Sequence, residues 1–179
     1  MDLAGEERIT APRTVVWEAL NDPQLLCSCI PGCHSLQYTS PTTLDAVIKA
    51  KVGFISARFS GDVRLTDITP SERYTISAEG KGGFAGFAKG SAVVTLLDDG
   101  ENTLLRYVAH AEIGGKIAQL GARLIDSTSQ KFTTRFFSDL NNAISARAAQ
   151  DRCASPDRKT MLLRPDSHSI ASTRCSEAG

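Results

Sequence analysis

The 179-residue sequence has no excess of charge of either sign: twenty Lys and Arg balance twenty Asp and Glu. A neutral chain feels no general pull toward nucleic acid or an anionic membrane surface, so no nucleic-acid partner is expected. No run approaches the roughly 20 apolar residues that a membrane-spanning helix needs. The opening MDLAGEERITAP contains acidic residues and no apolar core, so it does not read as a secretory signal. Histidines number three and cysteines five. An odd cysteine count without a signal points to reduced thiols in the cytoplasm rather than to a disulfide framework.

Composition changes near Gln150. The stretch DRCASPDRKTMLLRPDSHSIASTRCSEAG is rich in Ser, Asp, Arg and Pro, and its one apolar patch is Met161-Leu162-Leu163. Such a segment cannot bury enough apolar surface to offset its ordering entropy. Residues 1–148 are therefore expected to form one folded domain, and 149–179 a disordered tail.

Within the domain, Leu3–Ile9 reads as a strand. Thr10 is a candidate cap for a helix with Pro12 near its first turn and Val16, Trp17 and Leu20 on its apolar face. Asn21-Asp22-Pro23 ends that helix, and a second short one, Gln24–Cys29, stops at Pro31-Gly32. The period then becomes two. Leu44, Ala46, Ile48, Ala50 and Val52 share one face, as do Ala57, Phe59, Gly61, Val63 and Leu65. Tyr74, Ile76 and Ala78 repeat the alternation, and so do Leu105, Tyr107, Ala109, Ala111 and Ile113. Turn residues separate these runs, which gives six consecutive strands in an antiparallel meander.

From Lys116 to about Ala148 the period returns to that of a helix, without proline and with Gly121 as the interior glycine. Ile117, Leu120, Leu124, Thr128, Phe132, Phe136, Leu140 and Ile144 form its apolar stripe. A helix of about 33 residues would be roughly 50 Å long and would cross the dry face of the sheet. The expected class is α+β, a curved antiparallel sheet gripping a long C-terminal helix.

Several strings resemble the CoxG family of carbon monoxide dehydrogenase, a branch of the START-like, helix-grip (SRPBCC) proteins. They are VWEALNDPQLLCSCIPGC (Val16–Cys33), VGFISARFSGDVRLTDI (Val52–Ile68), GKGGFAGFAKGSAVVTL (Gly80–Leu96) and GGKIAQLGARLID (Gly114–Asp126), with Phe136-Phe137 beyond. Together they span roughly residues 1–148. The resemblance implies a non-catalytic accessory protein of molybdenum hydroxylases such as CO dehydrogenase. It also implies a hydrophobic ligand, a quinone or a lipid, and peripheral contact with the inner face of the membrane. Family members with an apolar C-terminal tether differ from this chain, whose tail has three consecutive apolar residues, and that difference argues against intrinsic anchoring.

Three motifs invite sharper readings. CSCIPGCH places Cys27, Cys29, Cys33 and His34 within eight residues. Zinc sites space their thiolates more widely and supply a second pair, so a structural or cavity-rim role is preferred to metal or redox chemistry. Gly80–Ala85 fits G-x-G-x-x-A, but a strand follows where a dinucleotide site needs a helix. These glycines either leave volume between sheet and helix or form a plain flexible hairpin, and both readings stay open. No Ser-His-Asp set assembles: His110 shares the wet face with Arg106 and Glu112, His34 falls in a loop, and His168 lies in the tail.

No catalytic residue, metal ligand or cofactor is assigned. The candidate ligand-binding residues are Phe54, Phe84, Phe87, Tyr107, Leu120, Gly121, Leu124 and Phe132, an apolar set with one hydroxyl. Two alternatives remain: an enzyme of the same fold, a cyclase or hydrolase acting on a lipid or polyketide, and a tethering factor without a ligand.

Overall fold

The computed structural model describes residues 1–153, with side chains through Arg147. The chain runs β1 (Asp2–Ile9), α1 (Arg13–Leu20), α2 (Pro23–Cys29), β2 (Cys33–Ser40), β3 (Thr43–Val52), β4 (Ile55–Thr69), β5 (Arg73–Lys81), β6 (Phe87–Asp99), β7 (Asn102–Gly114) and α3 (Ala122–Cys153). The seven strands form one sheet in the order β1-β7-β6-β5-β4-β3-β2, every neighbour antiparallel. The expected meander of β2 to β7 is present, and β1 returns to the far side of β7. Bulges in β2 and near the end of β4 interrupt the register and bend the sheet. Its concave face receives the helices, which is the expected helix-grip arrangement.

Asp22 caps α2, accepting from the backbone N–H groups of Gln24 at 3.0 Å and Leu25 at 3.2 Å. The cap expected from Thr10 does not form. The chain turns through an Ala11 N–H to Ile9 carbonyl bond of 2.9 Å, so α1 begins at Arg13 with Pro12 before it and no side-chain cap. Thr10 instead donates its N–H to Asn141 Oδ1 of α3 at 3.2 Å. His34, expected in a loop, lies in β2.

The long helix also differs at its start. Residues Ala118–Leu120 make a separate 3₁₀ turn, which ends at Gly121 with φ of 91°. That conformation is open to glycine and strained for other residues, so Gly121 closes the turn rather than sitting inside a helix. At the other end α3 continues to Cys153, past the expected domain limit at residue 148. The rest of the expected tail, 154–179, lies outside the described residues.

Packing concentrates at two ends of the concave face. One cluster joins Ile9, Val16, Leu20, Cys29, Tyr74, Leu96, Leu105, Leu140 and Ile144, bringing α1, α2 and the second half of α3 onto the sheet. A smaller one joins Ile55, Ala57, Ala85 and Ile117 around the β3–β4 and β5–β6 loops. The middle of the face lies between them.

Candidate ligand-binding cavity

The register shows what fills that middle. Ala46 pairs with Gly61, Gly61 with Gly80, and Gly80 with Ala88, across four strands. The next row pairs Val63 with Ala78, Ala78 with Gly90, and Gly90 with Ala111. A floor made mostly of Ala and Gly rises little above the backbone.

The roof does not descend to meet it. In α3, Leu140 and Ile144 are fully buried, whereas Leu124 and Phe132 remain 37% and 38% exposed. The helix is thus pinned at its C-terminal half and stands off the sheet at its N-terminal half. Close packing would otherwise eliminate such a gap.

The gap has two adjoining lobes that share Ala46, Ile48, Val63 and Ala78. The outer lobe, about 380 Å³, is lined by Phe59, Gly80, Ala88, Ile113, Ile117 and Phe132. The inner lobe, about 240 Å³, is lined by Leu26, Ile30, Leu44, Tyr74, Phe136 and Phe137 among others. These sizes suit a small organic ligand.

Polar side chains are few on these walls. Asp62, Glu79 and Lys89 border the outer lobe by position, but strand alternation turns their exposed side chains to the convex face. In the inner lobe the polar groups are two tyrosines. Tyr38 donates its hydroxyl to the Asn21 carbonyl at 3.4 Å. Burial pushes the Tyr38 phenol above its ordinary range, and burial with Tyr38 nearby does the same for Tyr74. Both stay protonated at neutral pH and act as donors.

Of the residues expected at the site, Phe132 lines the outer lobe. Leu120 and Leu124 sit over Gly53 at the β3–β4 tip, where a Cβ on Gly53 would lie 3.0 Å from Leu124 Cδ2 and 3.9 Å from Leu120 Cδ1. Phe54 and Phe84 project from their loops at 85% and 70% exposure, so they form a rim rather than a wall. Phe87 packs on Gly114 beside Lys89 on the convex face, and the lining positions of β6 are Ala88 and Gly90. Tyr107 points inward but lies outside both lobes, stacked on Phe137 with ring centroids 5.2 Å apart and packed over Gly5. Gly121 faces open space. Tyr38, Phe59, Tyr74, Phe136 and Phe137 are walls absent from the expected set; the inward parity of Phe59 and Tyr74 was the signal that could have placed those two.

The rim is rich in cations. Segments 51–58, 80–90 and 113–125 carry Lys51, Arg58, Lys81, Lys89, Lys116 and Arg123, with Glu79, Glu112 and Asp126 at their edges and Lys89 paired in register with both glutamates. Lys116 Nζ stands 5.7 Å over the Phe84 ring and Lys89 Nζ 5.5 Å over Phe87. The Ile117 N–H donates to the Ala85 carbonyl at 3.1 Å, tying two of these segments together. The turns at the opposite end hold Asp67, Glu72, Asp98, Asp99 and Glu101, of which Asp98 and Asp99 pair with Arg13 at 3.2 Å and Arg8 at 2.7 Å.

The cysteine-rich stretch divides in two. Cys29, the last residue of α2, is buried in the core. Cys27 Sγ lies 2.8 Å from Cys33 Sγ, donating to it, and Cys33 faces the Ser35 carbonyl at 3.6 Å. Among the described residues no three His, Cys, Asp or Glu side chains converge as metal ligands. His110 Nδ1 meets Asp2 Oδ1 at 2.7 Å on the convex face, away from both lobes.

Solved structures share the architecture. A conserved protein from Geobacillus kaustophilus superposes with a TM-score of 0.77 at 28% identity, covering 82% of this chain and 96% of that one. A START superfamily protein from Mycobacterium smegmatis gives 0.62 at 12% identity, covering 82% and 98%. The Zhui aromatase/cyclase from Streptomyces sp. R1128 gives 0.63 at 8% identity, covering 83% and 95%. The last two identities are low enough to speak for the fold alone. No curated protein matches the sequence. The profile of the CoxG subunit of carbon monoxide dehydrogenase matches residues 5–145, most of the described chain, and the protein belongs to the CoxG family.

Proposed function

We propose that this protein is a ligand-binding accessory module of a molybdenum hydroxylase of the CO dehydrogenase type, carrying an apolar small molecule, a quinone or a lipid, between α3 and the sheet. The observation that carries this reading is the Ala/Gly floor under the raised half of α3, an apolar lumen at the centre of a CoxG-family chain. The cationic rim with protruding Phe54 and Phe84 supports a place at the inner face of the cytoplasmic membrane, where such a ligand dissolves. No helix among the described residues is long and apolar enough to cross a membrane, so contact through the rim would be peripheral.

Carriage is favoured over catalysis because the lumen walls offer tyrosine hydroxyls, which are weak acids at neutral pH, and neither lobe is lined by an inward-facing carboxylate or imidazole. The test is extraction. The protein is mixed with vesicles containing a quinone, the vesicles are sedimented, and quinone absorbance is read in the supernatant. Quinone should leave with the protein in roughly equimolar amount. If vesicles keep all of it, and labelled lipid as well, the protein is a tether rather than a carrier.

A further inference from the structure

Tyr74 occupies the part of the inner lobe packed by α1. It is 5% exposed, and its ring meets Trp17 edge-on with centroids 5.4 Å apart. Its hydroxyl has no hydrogen-bond partner among the described residues. Nor is it sealed off by protein: it does not fall among the fully enclosed side-chain oxygens that lack a hydrogen-bond partner. Tyr38, the other hydroxyl on the wall, is engaged with Asn21. A phenylalanine at position 74 would fill the same space, so packing alone does not call for the hydroxyl, which opens into the lobe.

We propose that the Tyr74 hydroxyl is the recognition donor of the inner lobe, taking a ligand whose flat apolar body carries a neutral hydrogen-bond acceptor such as a ring carbonyl. This deepens the carrier reading above and rests on it. Burial and the neighbouring Tyr38 hold the Tyr74 phenol in its protonated form, so it donates over the whole neutral range. Phe136 and Phe137, ring centroids 5.1 Å apart, face the same lobe and suit a planar ring. No cation lines this lobe, so a phosphate headgroup would be stranded there without a counter-charge. The acceptor-bearing head therefore lies deep, and an aliphatic tail runs through the outer lobe over Gly80 and Ala88 toward the cationic rim.

Trp17 is the sole tryptophan and stands beside Tyr74, so its fluorescence reports on the lobe directly. The probes are duroquinone, which has no free ring position for thiol addition, and durene, which has the same methylated ring without carbonyls. Wild type should bind both, and Tyr74→Phe should weaken duroquinone about tenfold while leaving durene within about twofold. The melting temperature of Tyr74→Phe should be equal or higher, since the hydroxyl makes no bond to protein. Equal duroquinone affinity in wild type and variant would overturn the proposal while leaving the carrier reading in place. A variant that melts several degrees lower would also overturn it, because the hydroxyl would then have a protein partner. Wild type binding neither these probes nor vesicle quinone would sink the carrier reading and this inference together.

Discussion

Gly61 of β4 and Gly80 of β5 face each other at the centre of the concave sheet, flanked by Ala46 and Ala88 in the same row. The two are not equivalent. A Cβ on Gly61 would strike the Glu79 carbonyl, whereas one on Gly80 would meet Phe59 Cβ at 3.7 Å, an ordinary contact. Gly80→Leu should therefore fill the lumen and abolish ligand binding with the circular dichroism spectrum unchanged. Gly61→Ala should lower stability by about 1–3 kcal/mol because backbone must shift. Denaturant titration of both variants checks the contrast.

The burial gradient along α3 makes a second expectation. Leu140 and Ile144 are fully buried, so Leu140→Ala should cost about 2–5 kcal/mol. Phe132 is already 38% exposed over the lumen, and Phe132→Ala should cost markedly less while weakening ligand binding. A melting-temperature series with and without ligand separates the two effects.

Strand alternation made the inward faces of β3, β4, β5 and β7 legible because the pattern there is binary. It misled at Phe87. Along β6 the inward residues are Ala88, Gly90 and Ala92 while Phe87, Lys89 and Ser91 face out, so the small side chains lie inside. A wall that must leave room inverts the usual rule that the larger apolar residue is the buried one. The helix stripe hid the break at Gly121 for a related reason: residues over a lumen are as apolar as residues in a core. Tyr74 was placed inward by parity, but its unmet hydroxyl could not be read without its neighbours.

The thiol pair gives a pH prediction. Burial first, then the hydrogen bond and proximity of Cys27, push the Cys33 thiol up from 9.0 to about 12. A raised thiol favours the protonated form in the folded state. Its contribution to stability is full below the ordinary thiol pKa and is lost as pH climbs from about 9 toward 12. Urea titrations should show stability falling over that window, less steeply in Cys33→Ser. Because Tyr74 titrates upward of the same region, the variant's slope is the diagnostic one rather than the wild-type slope alone.

Membrane contact through the cation-rich rim, as proposed, should be salt-sensitive. Phe54→Ser with Phe84→Ser should reduce sedimentation with anionic vesicles and leave the melting temperature unchanged, since both rings are largely exposed. Raising salt from about 0.1 M toward 1 M shrinks the screening length from roughly 10 to 3 Å and should release the wild type as well. Equal binding to neutral and anionic vesicles would leave the rim cations without a role at the membrane.

Native mass spectrometry of the purified chain titrated with short-chain menaquinone and ubiquinone analogues tests carriage of an apolar ligand most directly. A complex of one ligand per chain should form with wild type and be lost in folded Gly80→Leu. A well-folded wild type that takes up neither these quinones nor lipid, while still associating with its partner enzyme, would contradict it.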